Sequence, residues 1–494
     1  MLKQAFFKTI FFLPPFYLLS IAVLAQQKYW LEFEIEDLNA QNPKIESLKD
    51  SLQKINQERL KFHYQSKWNP IVSVTIEESI IASILRHSFV KSITLQKELQ
   101  ALSVETTAAI EYSYALEQIK AHYLTDSLGL SGRNVKIGVI DGGFMDADVE
   151  PSLKYLIENK QIKFFKDYLL QGNNDTFYGK RLSQDDHGTQ VLKMIVGSDN
   201  GTSMKYGMAT NSDLYLARTD HGIREKRIEE DYWVEAIELF HEMGIRLVNS
   251  SLGYTDGFDK RKENHSKKEV NGKSSMITKT AQMAAEKGML IVSAAGNDGH
   301  KNWGILSLPS DAENILTVGA VRFDDWSKIY YSSIGPEKLD YIKPDIACFA
   351  ANGTSFSAPV ITGLAACIWE YDSTLSNLEV MDIIKSGSHL AENPNNYIGY
   401  GVPDSKEIIS LLNQEKRKSN FKPITSNQKF ITIEIPDEIN AVVVFHKMDS
   451  RNVIEQKSIK VEQGQSKLKI ARIDKATFSS VVAQDKLCVE VKWE

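Results

Sequence analysis

The spacing of apolar residues divides the chain into stretches with different periods. In its first part, short runs that alternate between apolar and polar residues are separated by stretches with a helical period. The elements predicted there are a strand at 29–35, a helix at 44–60, a strand at 71–75, a helix at 77–86 and a strand at Val90–Leu95. These elements predict a small α+β unit.

The middle of the chain has a different pattern, in which short and almost wholly apolar runs alternate with amphipathic stretches. The predicted strands are 135–140, 214–217, Leu247–Ser250, Leu290–Ala294 and 316–318, and the clearest helices are 231–243 and 278–287. Strands of this kind are buried on both faces, which indicates a parallel sheet with helices on each side. Functional groups in such sheets collect at the carboxyl ends of the strands.

The last part, 421–494, contains alternating runs at 430–435, 441–446 and 487–493 and has no helical period. It is predicted to be a small all-β module. The polar stretch 414–420 is a plausible linker in front of it.

The beginning of the chain has the pattern of an export signal. Two lysines lie among the first eight residues, and a mostly apolar run follows at 10–24. Cleavage after Ala25 would remove 1–25 and make the protein secreted, periplasmic or cell-surface. The alternative is a membrane anchor, but the run is short and contains Pro14 and Pro15. No later segment has the roughly 20 apolar residues of a spanning helix, so no stable membrane span is predicted.

Composition narrows the classes of function. The 494 residues include 58 Lys and Arg against 64 Asp and Glu, a net charge of -6. That balance argues against a nucleic-acid partner, because nucleic-acid binders carry a strongly basic face. Cys348, Cys367 and Cys488 are an odd number with no metal-ligand spacing. They are predicted to be small buried residues, and no metal ligands are assigned.

Two motifs contain candidates for acid and base chemistry. Asp141 ends the apolar run 135–140 and is followed by two glycines. Such an acid also holds a ribose or a metal in other α/β proteins, or caps a helix. His187 precedes a glycine and an apolar helical stretch, so it is predicted at a helix start, a position that favours a neutral imidazole. Taken alone, this motif favours a structural histidine near a helix cap.

Two further motifs supply a nucleophile and a hydrogen-bond donor. Ser355 lies where a glycine turn enters an apolar helix in Gly353-Thr-Ser-Phe-Ser-Ala-Pro359, although a serine there can simply cap the helix. Asn297 follows the apolar run Leu290–Ala294 and a glycine, where its amide could face a developing oxyanion. An ordinary turn at Asn297-Asp298-Gly299 is the alternative.

The order Asp141, His187, Asn297, Ser355, with each residue in its structural context, resembles the subtilisin family of serine peptidases. The resemblance covers about 112–403. It implies an α/β fold of three layers, a parallel sheet with helices on both faces, over 133–413. It also implies that Asp141, His187 and Ser355 are a catalytic triad, that Asn297 holds the oxyanion, and that the enzyme is a serine endopeptidase working through an acyl-enzyme.

The resemblance further implies how substrates and inhibitors bind. Peptide or protein substrates would pair with two backbone walls, Ser251, Leu252 and Gly253 on one side and Ala294, Ala295 and Gly296 on the other. Region 26–132 resembles the family's inhibitory pro-domain, followed by the leader to the mature chain, which makes the chain's own pro-domain an intramolecular inhibitor. No cofactor is required. Structural calcium is frequent in the family, but no acidic loop here has recognisable calcium spacing.

Three departures from the family pattern stand out. Gly142 follows the acid where many members have threonine or serine, Gln190 replaces a second histidine, and the loop 347–353 is short. The main alternative is a catalytically silent protein of the same fold that binds peptides, and the short loop is the only hint of it. An α/β-hydrolase esterase is ranked last, because it needs a Gly-x-Ser-x-Gly elbow and another residue order, and Ser355 lacks that elbow. A nucleotide-binding domain is disfavoured, because the strand at 135–140 is not followed by Gly-x-Gly-x-x-Gly.

Overall fold

The computed structural model describes residues 26–34, 43–56, 59–95, 109–170, 172–179, 185–199, 201, 204–221, 228–256, 264–417 and 419–494. The predicted signal segment 1–25 lies outside the described residues. Within them, no helix has both the length and the apolar character that crossing a membrane requires.

The first region is an antiparallel sheet in the order β2-β3-β1-β4 with a helix packed on one face. Its elements are β1 (Gln26–Phe33), α1 (Pro43–Asn56), β2 (Leu60–Gln65), β3 (Ile71–Glu77), α2 (Ile81–Ile84) and β4 (Val90–Leu95). Its core includes Leu31, Phe33, Leu52 and Val74.

Two helix predictions for this region were wrong in extent. The helix predicted at 44–60 ends at Asn56, and Leu60 begins β2 because it pairs across the sheet with Ile76. The helix predicted at 77–86 is reduced to a 3₁₀ turn and the single turn α2, since β3 continues to Glu77 in register with β1. Sheet pairing therefore overrode the local helical period.

The middle of the chain forms the central α/β unit. Its elements are α3 (Ala109–Gln118), α4 (His122–Thr125), β5 (Lys136–Asp141), α5 (Lys154–Glu158), β6 (Ile162–Asp167), α6 (His187–Val196), β7 (Ser198–Asp199), β8 (Met204–Lys205), β9 (Asp213–Arg218), α7 (Ile228–Glu242), β10 (Leu247–Ser250), α8 (Met276–Glu286), β11 (Leu290–Ala294), β12 (Leu316–Val321), β13 (Ile346–Phe349), α9 (Ala358–Tyr371), α10 (Asn377–Ser386) and α11 (Ser405–Leu412).

Seven of these strands form a parallel sheet in the order β13-β12-β11-β10-β5-β9-β6. Alternate residues of one strand enter different hydrophobic clusters, with Val139 packed beside α6 and α9 and Ile140 beside α7 and α8. This places helices on both faces, and the predicted three-layer fold is confirmed. Strands β6 and β13, which lie at the two edges of the sheet, were not predicted.

The last region is all β, as predicted. A five-stranded sheet in the order β14-β20-β19-β16-β17 packs against the two-stranded sheet β15-β18. The strands are β14 (Phe421–Ser426), β15 (Phe430–Glu434), β16 (Ala441–Lys447), β17 (Val453–Lys460), β18 (Lys467–Ala471), β19 (Phe478–Ala483) and β20 (Leu487–Trp493). All three cysteines of the chain are buried free thiols, as the sequence predicted.

Candidate active site

Asp141 and His187 meet at the carboxyl edge of the sheet. Asp141 is the last residue of β5 and His187 is the first residue of α6. His187 Nδ1 lies 2.7 Å from Asp141 Oδ1, and the same oxygen accepts a hydrogen bond from the Gly142 N–H at 2.8 Å. Both side chains are buried. The pair can therefore hold one imidazole tautomer, with the proton on Nδ1 and Nε2 left for chemistry.

The pKa of His187 is shifted in the direction opposite to the one that a helix start favours. Burial lowers the pKa of the imidazole, but the charge and hydrogen bond of Asp141, with Asp220 and Asp186 further away, raise it by more, so the net pKa is raised. Contact with the Asp141 carboxylate is the main cause of the increase. His187 Nε2 is buried and has no hydrogen-bond partner among the described residues.

Ser355 lies beside this pair, but its hydroxyl is turned elsewhere. It occupies a 3₁₀ turn, Thr354–Phe356, at the entrance to α9. Its Oγ donates to the Ser251 carbonyl at 3.1 Å. The next residue, Phe356, has its ring 5.5 Å from the His187 ring, so the turn packs against the start of α6. In this structure the Ser355 hydroxyl is therefore not hydrogen-bonded to His187 Nε2.

The Asn297 side chain is fixed by hydrogen bonds from Thr354, which belongs to the same 3₁₀ turn as Ser355. Its Oδ1 accepts two hydrogen bonds, from the Thr354 backbone N–H and from Thr354 Oγ1, each at 2.9 Å. This fixes the plane of the carboxamide and leaves Nδ2 on the other side. There the chain passes close at Gly353, whose φ is +134° and where an added Cβ would lie 2.8 Å from Asn297 Nδ2. Only glycine fits this position without strain.

The two predicted substrate walls lie at the ends of the neighbouring strands β10 and β11. All six residues, Ser251, Leu252, Gly253, Ala294, Ala295 and Gly296, are buried. Sequence reasoning missed Ser307, which lies between the walls. Its N–H donates to the Ala295 carbonyl at 3.0 Å, and its Oγ would lie 2.1 Å from a Cβ added at Gly253 and 3.1 Å from one added at Gly296. No motif in the sequence marks this serine, because its position depends on a loop crossing from elsewhere.

Among the described residues, no group of three or more His, Cys, Asp or Glu side chains could hold a metal ion. The candidate site contains a serine, an imidazole, a carboxylate and an amide. Such a set can activate a hydroxyl by proton transfer and can stabilise an oxyanion.

Comparison with known proteins decides the family. Residues 132–401, more than half of the chain, match the model of the Subtilase family. The chain belongs to the subtilase family. It is 26% identical to subtilisin DY of Bacillus licheniformis over 283 residues, which cover 55% of this chain and 90% of that relative. It is 25% identical to subtilisin NAT of Bacillus subtilis subsp. natto over 308 residues, covering 60% and 70% respectively.

A solved structure supports the same fold. The epidermin leader peptide processing serine protease of Staphylococcus aureus superposes with a TM-score of 0.53 at 17% identity, covering 79% of this chain and 100% of that one. With the family match, the chain is a subtilisin-like serine endopeptidase, and peptides or proteins are its substrates.

The first region of this subtilase rests on α7, another contact that sequence reasoning did not locate. Glu238, a buried residue of α7, accepts hydrogen bonds from the hydroxyls of Tyr64 and Ser66 and from the Lys67 N–H at 3.0 Å. Trp68 packs edge-on against His241 of the same helix, with ring centroids 5.1 Å apart.

Proposed function

We propose that this subtilase is a secreted endopeptidase that cleaves peptide bonds through an acyl-enzyme on Ser355. The observation that carries the proposal is the buried contact of 2.7 Å between His187 Nδ1 and Asp141, beside the turn that holds Ser355. A buried imidazole with a carboxylate on one nitrogen and a vacant second nitrogen is arranged for general base catalysis.

The proposed reaction has two halves, acylation and deacylation, and the same groups act in both. Ser355 Oγ attacks the scissile carbonyl while His187 Nε2 takes the hydroxyl proton, and the imidazolium then gives that proton to the leaving amine. Water enters and the same steps release the acid product. Asp141 holds the proton on Nδ1 and stabilises the imidazolium, which agrees with the raised pKa of His187.

The oxyanion of the tetrahedral intermediate would be held by Asn297 Nδ2 and by the backbone N–H of Ser355. The double acceptance by Asn297 Oδ1 supports this role, because an amide whose oxygen is fixed presents its N–H groups in one direction. An extended substrate would lie between the two buried walls and pair with their backbone by strand addition. Serine, imidazole and carboxylate supply the chemistry, so the proposal requires no cofactor.

We also propose that the first region is the enzyme's own inhibitor and is cut away on activation. Its support is the docked sheet on α7, where buried polar groups of both partners pair with one another. The signal pattern in 1–25 supports secretion, in which case the chain reaches the outside of the cytoplasm before this activation.

A fluorophosphonate probe tests the proposal, because it reacts only with an activated serine. Once the first region has been cut away, the wild-type chain should label and Ser355→Ala should not. Asp141→Asn should fold normally, label more slowly and turn over peptides on the order of 10⁴-fold more slowly. Ser357→Ala is the matched control, because the Ser357 hydroxyl donates to the Thr354 carbonyl of its own turn, at 3.0 Å. A wild-type chain that binds peptides without labelling would establish the silent alternative instead.

A further inference from the structure

A buried arginine that the proposed reaction does not use lies beside Asp141. Arg218 ends β9, and in the parallel register of the sheet it is directly opposite Asp141 at the end of β5. Its guanidinium is almost fully buried, with 5% of the side chain exposed. Nε donates to the Gly142 carbonyl at 3.0 Å, one terminal nitrogen to Asp167 at 3.2 Å and the other to Asp185 at 2.8 Å.

Two of these acceptors are next to the proposed acid and base in the chain. Gly142 follows Asp141 directly, and Asp185 is two residues before His187, at the entry to α6. The third, Asp167, ends the edge strand β6 and is itself held by the N–H groups of Leu169 and Leu170. One guanidinium therefore joins the turn after the acid to the turn before the base, and ties both to the sheet edge.

The two turns also touch each other through backbone atoms. The Met145 N–H donates to the Asp185 carbonyl at 2.9 Å, and a Cβ added at Gly143 would lie 2.5 Å from that same oxygen. Such close packing leaves little freedom, so a shift of one turn moves the other. The distance between Asp141 and His187 depends on how these turns are fixed.

Because residue 142 is a glycine, the turn after Asp141 depends more on contacts from other parts of the chain. Gly142 has no side chain with which to hold the neighbouring carboxylate, and Asp141 Oδ2 has no hydrogen-bond partner among the described residues. The turn is instead held through its carbonyl by Arg218. A lysine could not replace it, because only the planar guanidinium fork reaches three acceptors in fixed directions.

We propose that Arg218 is a positioning residue, which sets the geometry of the Asp141–His187 pair by fixing the turns that precede and follow them. The inference rests on the proposed function, which makes that pair the acid and base. Arg218 contacts neither substrate nor the reacting atoms; its effect reaches the reaction only through the two turns.

Arg218→Lys is the first test, introduced in the full chain and assayed after the first region has been cut away. The charge is retained and the fork is lost, so we expect kcat per labelled active site to fall about 10- to 100-fold, the cost typical of a small misplacement. KM for the same peptide should stay within about twofold, because the substrate walls on β10 and β11 are untouched. Fluorophosphonate labelling counts the folded sites, so a loss of folded protein alone would leave kcat per site unchanged.

The pH profile gives a second readout. The charged groups around His187 are Asp141, Asp220 and Asp186, with Asp185, Asp167 and Arg218 behind them. Arg218→Met removes a positive charge, so the pKa of His187 should rise and the acid limb of kcat/KM should move to higher pH. Asp185→Asn removes a negative charge and should move that limb to lower pH, while Arg218→Lys should leave it in place.

Arg246→Met is the matched control. Arg246 directly precedes β10, at the amino-terminal ends of the parallel strands and so away from the candidate site. There it lies over Trp369 and donates to the Leu375 carbonyl at 3.3 Å. It should change neither kcat nor the profile. Wild-type kcat per labelled site in Arg218→Lys, or equal shifts of the acid limb in Arg218→Met and Asp185→Asn, would overturn the proposal. Failure of the wild-type chain to label would instead remove the proposed function itself.

Discussion

The central α/β unit carries a partner region on each side, and the two are attached by different chemistry. The first region, 26–95, meets α7 through buried acids of that helix and through Trp30, Trp68 and Ile71, which share an apolar cluster with α7 and α8. The last region, 421–494, meets the central unit largely through apolar side chains. Both contacts are extensive, so the difference lies in which groups would become exposed to water if each region separated from the central unit.

At the first contact, acids of α7 accept from the docked sheet. Glu238 accepts hydrogen bonds from Tyr64, Ser66 and the Lys67 N–H. Asp231 accepts a hydrogen bond from Ser73 Oγ at 2.7 Å and forms an ion pair with Lys28. Water can replace each of these partners once the region leaves. The net stability of such a contact is therefore modest compared with its number of bonds.

At the second contact, one face of the five-stranded sheet joins the core of the central unit. Val443, Phe445, Val453, Val482 and Cys488 belong to the same apolar cluster as α6 and α9. The polar contacts there include amides and charged groups: Asn396 Oδ1 accepts the Val453 N–H at 2.9 Å, and Lys120 pairs with Asp485 at 2.7 Å. Separation would expose this apolar surface to water, which is costly. Since removal of the first region is part of the proposed function, we expect a detachable first region and a permanent last region.

The largest expected effect is at the permanent contact. Phe445→Ala should lower the free energy of unfolding of the mature enzyme by about 3–5 kcal/mol, because Phe445 is 1% exposed and its loss leaves a cavity in a shared core. Urea unfolding measures the change. Phe430→Ala, at a half-exposed position of β15, is the control and should cost much less. Equal costs for the two would mean that the module is only loosely attached.

Trp68→Ala addresses the detachable contact with a truncation of similar size. Trp68 packs on His241 and under Lys287 Nζ, which lies 5.2 Å from its ring. We expect inhibition of the mature enzyme by the first region to weaken about 100-fold, from roughly 3 kcal/mol of lost packing. Unfolding of the mature enzyme should be unaffected. A destabilised mature enzyme would show that this region remains part of its fold.

Glu238→Ala should weaken the same inhibition about 10- to 100-fold, because it leaves the two hydroxyls and the Lys67 N–H buried without their acceptor at roughly 1–3 kcal/mol for such a group. The measurement is the concentration of first region that halves peptidase activity. Glu235→Ala is the matched control on the same helix, since Glu235 pairs with Lys166 of the central unit at 2.6 Å. Equal weakening by both variants would contradict the assigned contact.

The smallest expected effect comes from salt. The ion pair of Lys67 with Glu242 is 2.6 Å long and half-exposed at both ends. Exposed pairs are screened and contribute roughly 0–1 kcal/mol. Raising NaCl from about 0.1 M to 1 M should weaken inhibition by the first region only a few-fold, and Lys67→Met should remove most of that dependence. Weakening of 100-fold or more would mean that charge, rather than Trp68 and Glu238, dominates this contact.

Sequence periodicity predicted the central sheet well because its strands are apolar on both faces, so β5, β10 and β11 were placed with only small differences in extent. Periodicity failed where strand pairing decided the structure. Leu60 was predicted to end a helix, but it is the first residue of β2. The positions of Asp141 at a strand end and His187 at a helix start followed from their motifs. The orientation of the Ser355 hydroxyl towards Ser251 could not, because the two residues are 104 positions apart.

The sequence by itself determined the layers of the fold, the order of its chemical groups and the family, because these depend on local period and on short motifs. Only the tertiary structure decided that Arg218 joins the turns beside Asp141 and His187, that Ser307 lies between the substrate walls, and that Glu238 receives the first region. Each of these depends on groups brought together from distant parts of the chain, as in the bond between Glu238 and Ser66 across 172 positions. Local propensity carries no information about such distances, which the packing of whole elements sets.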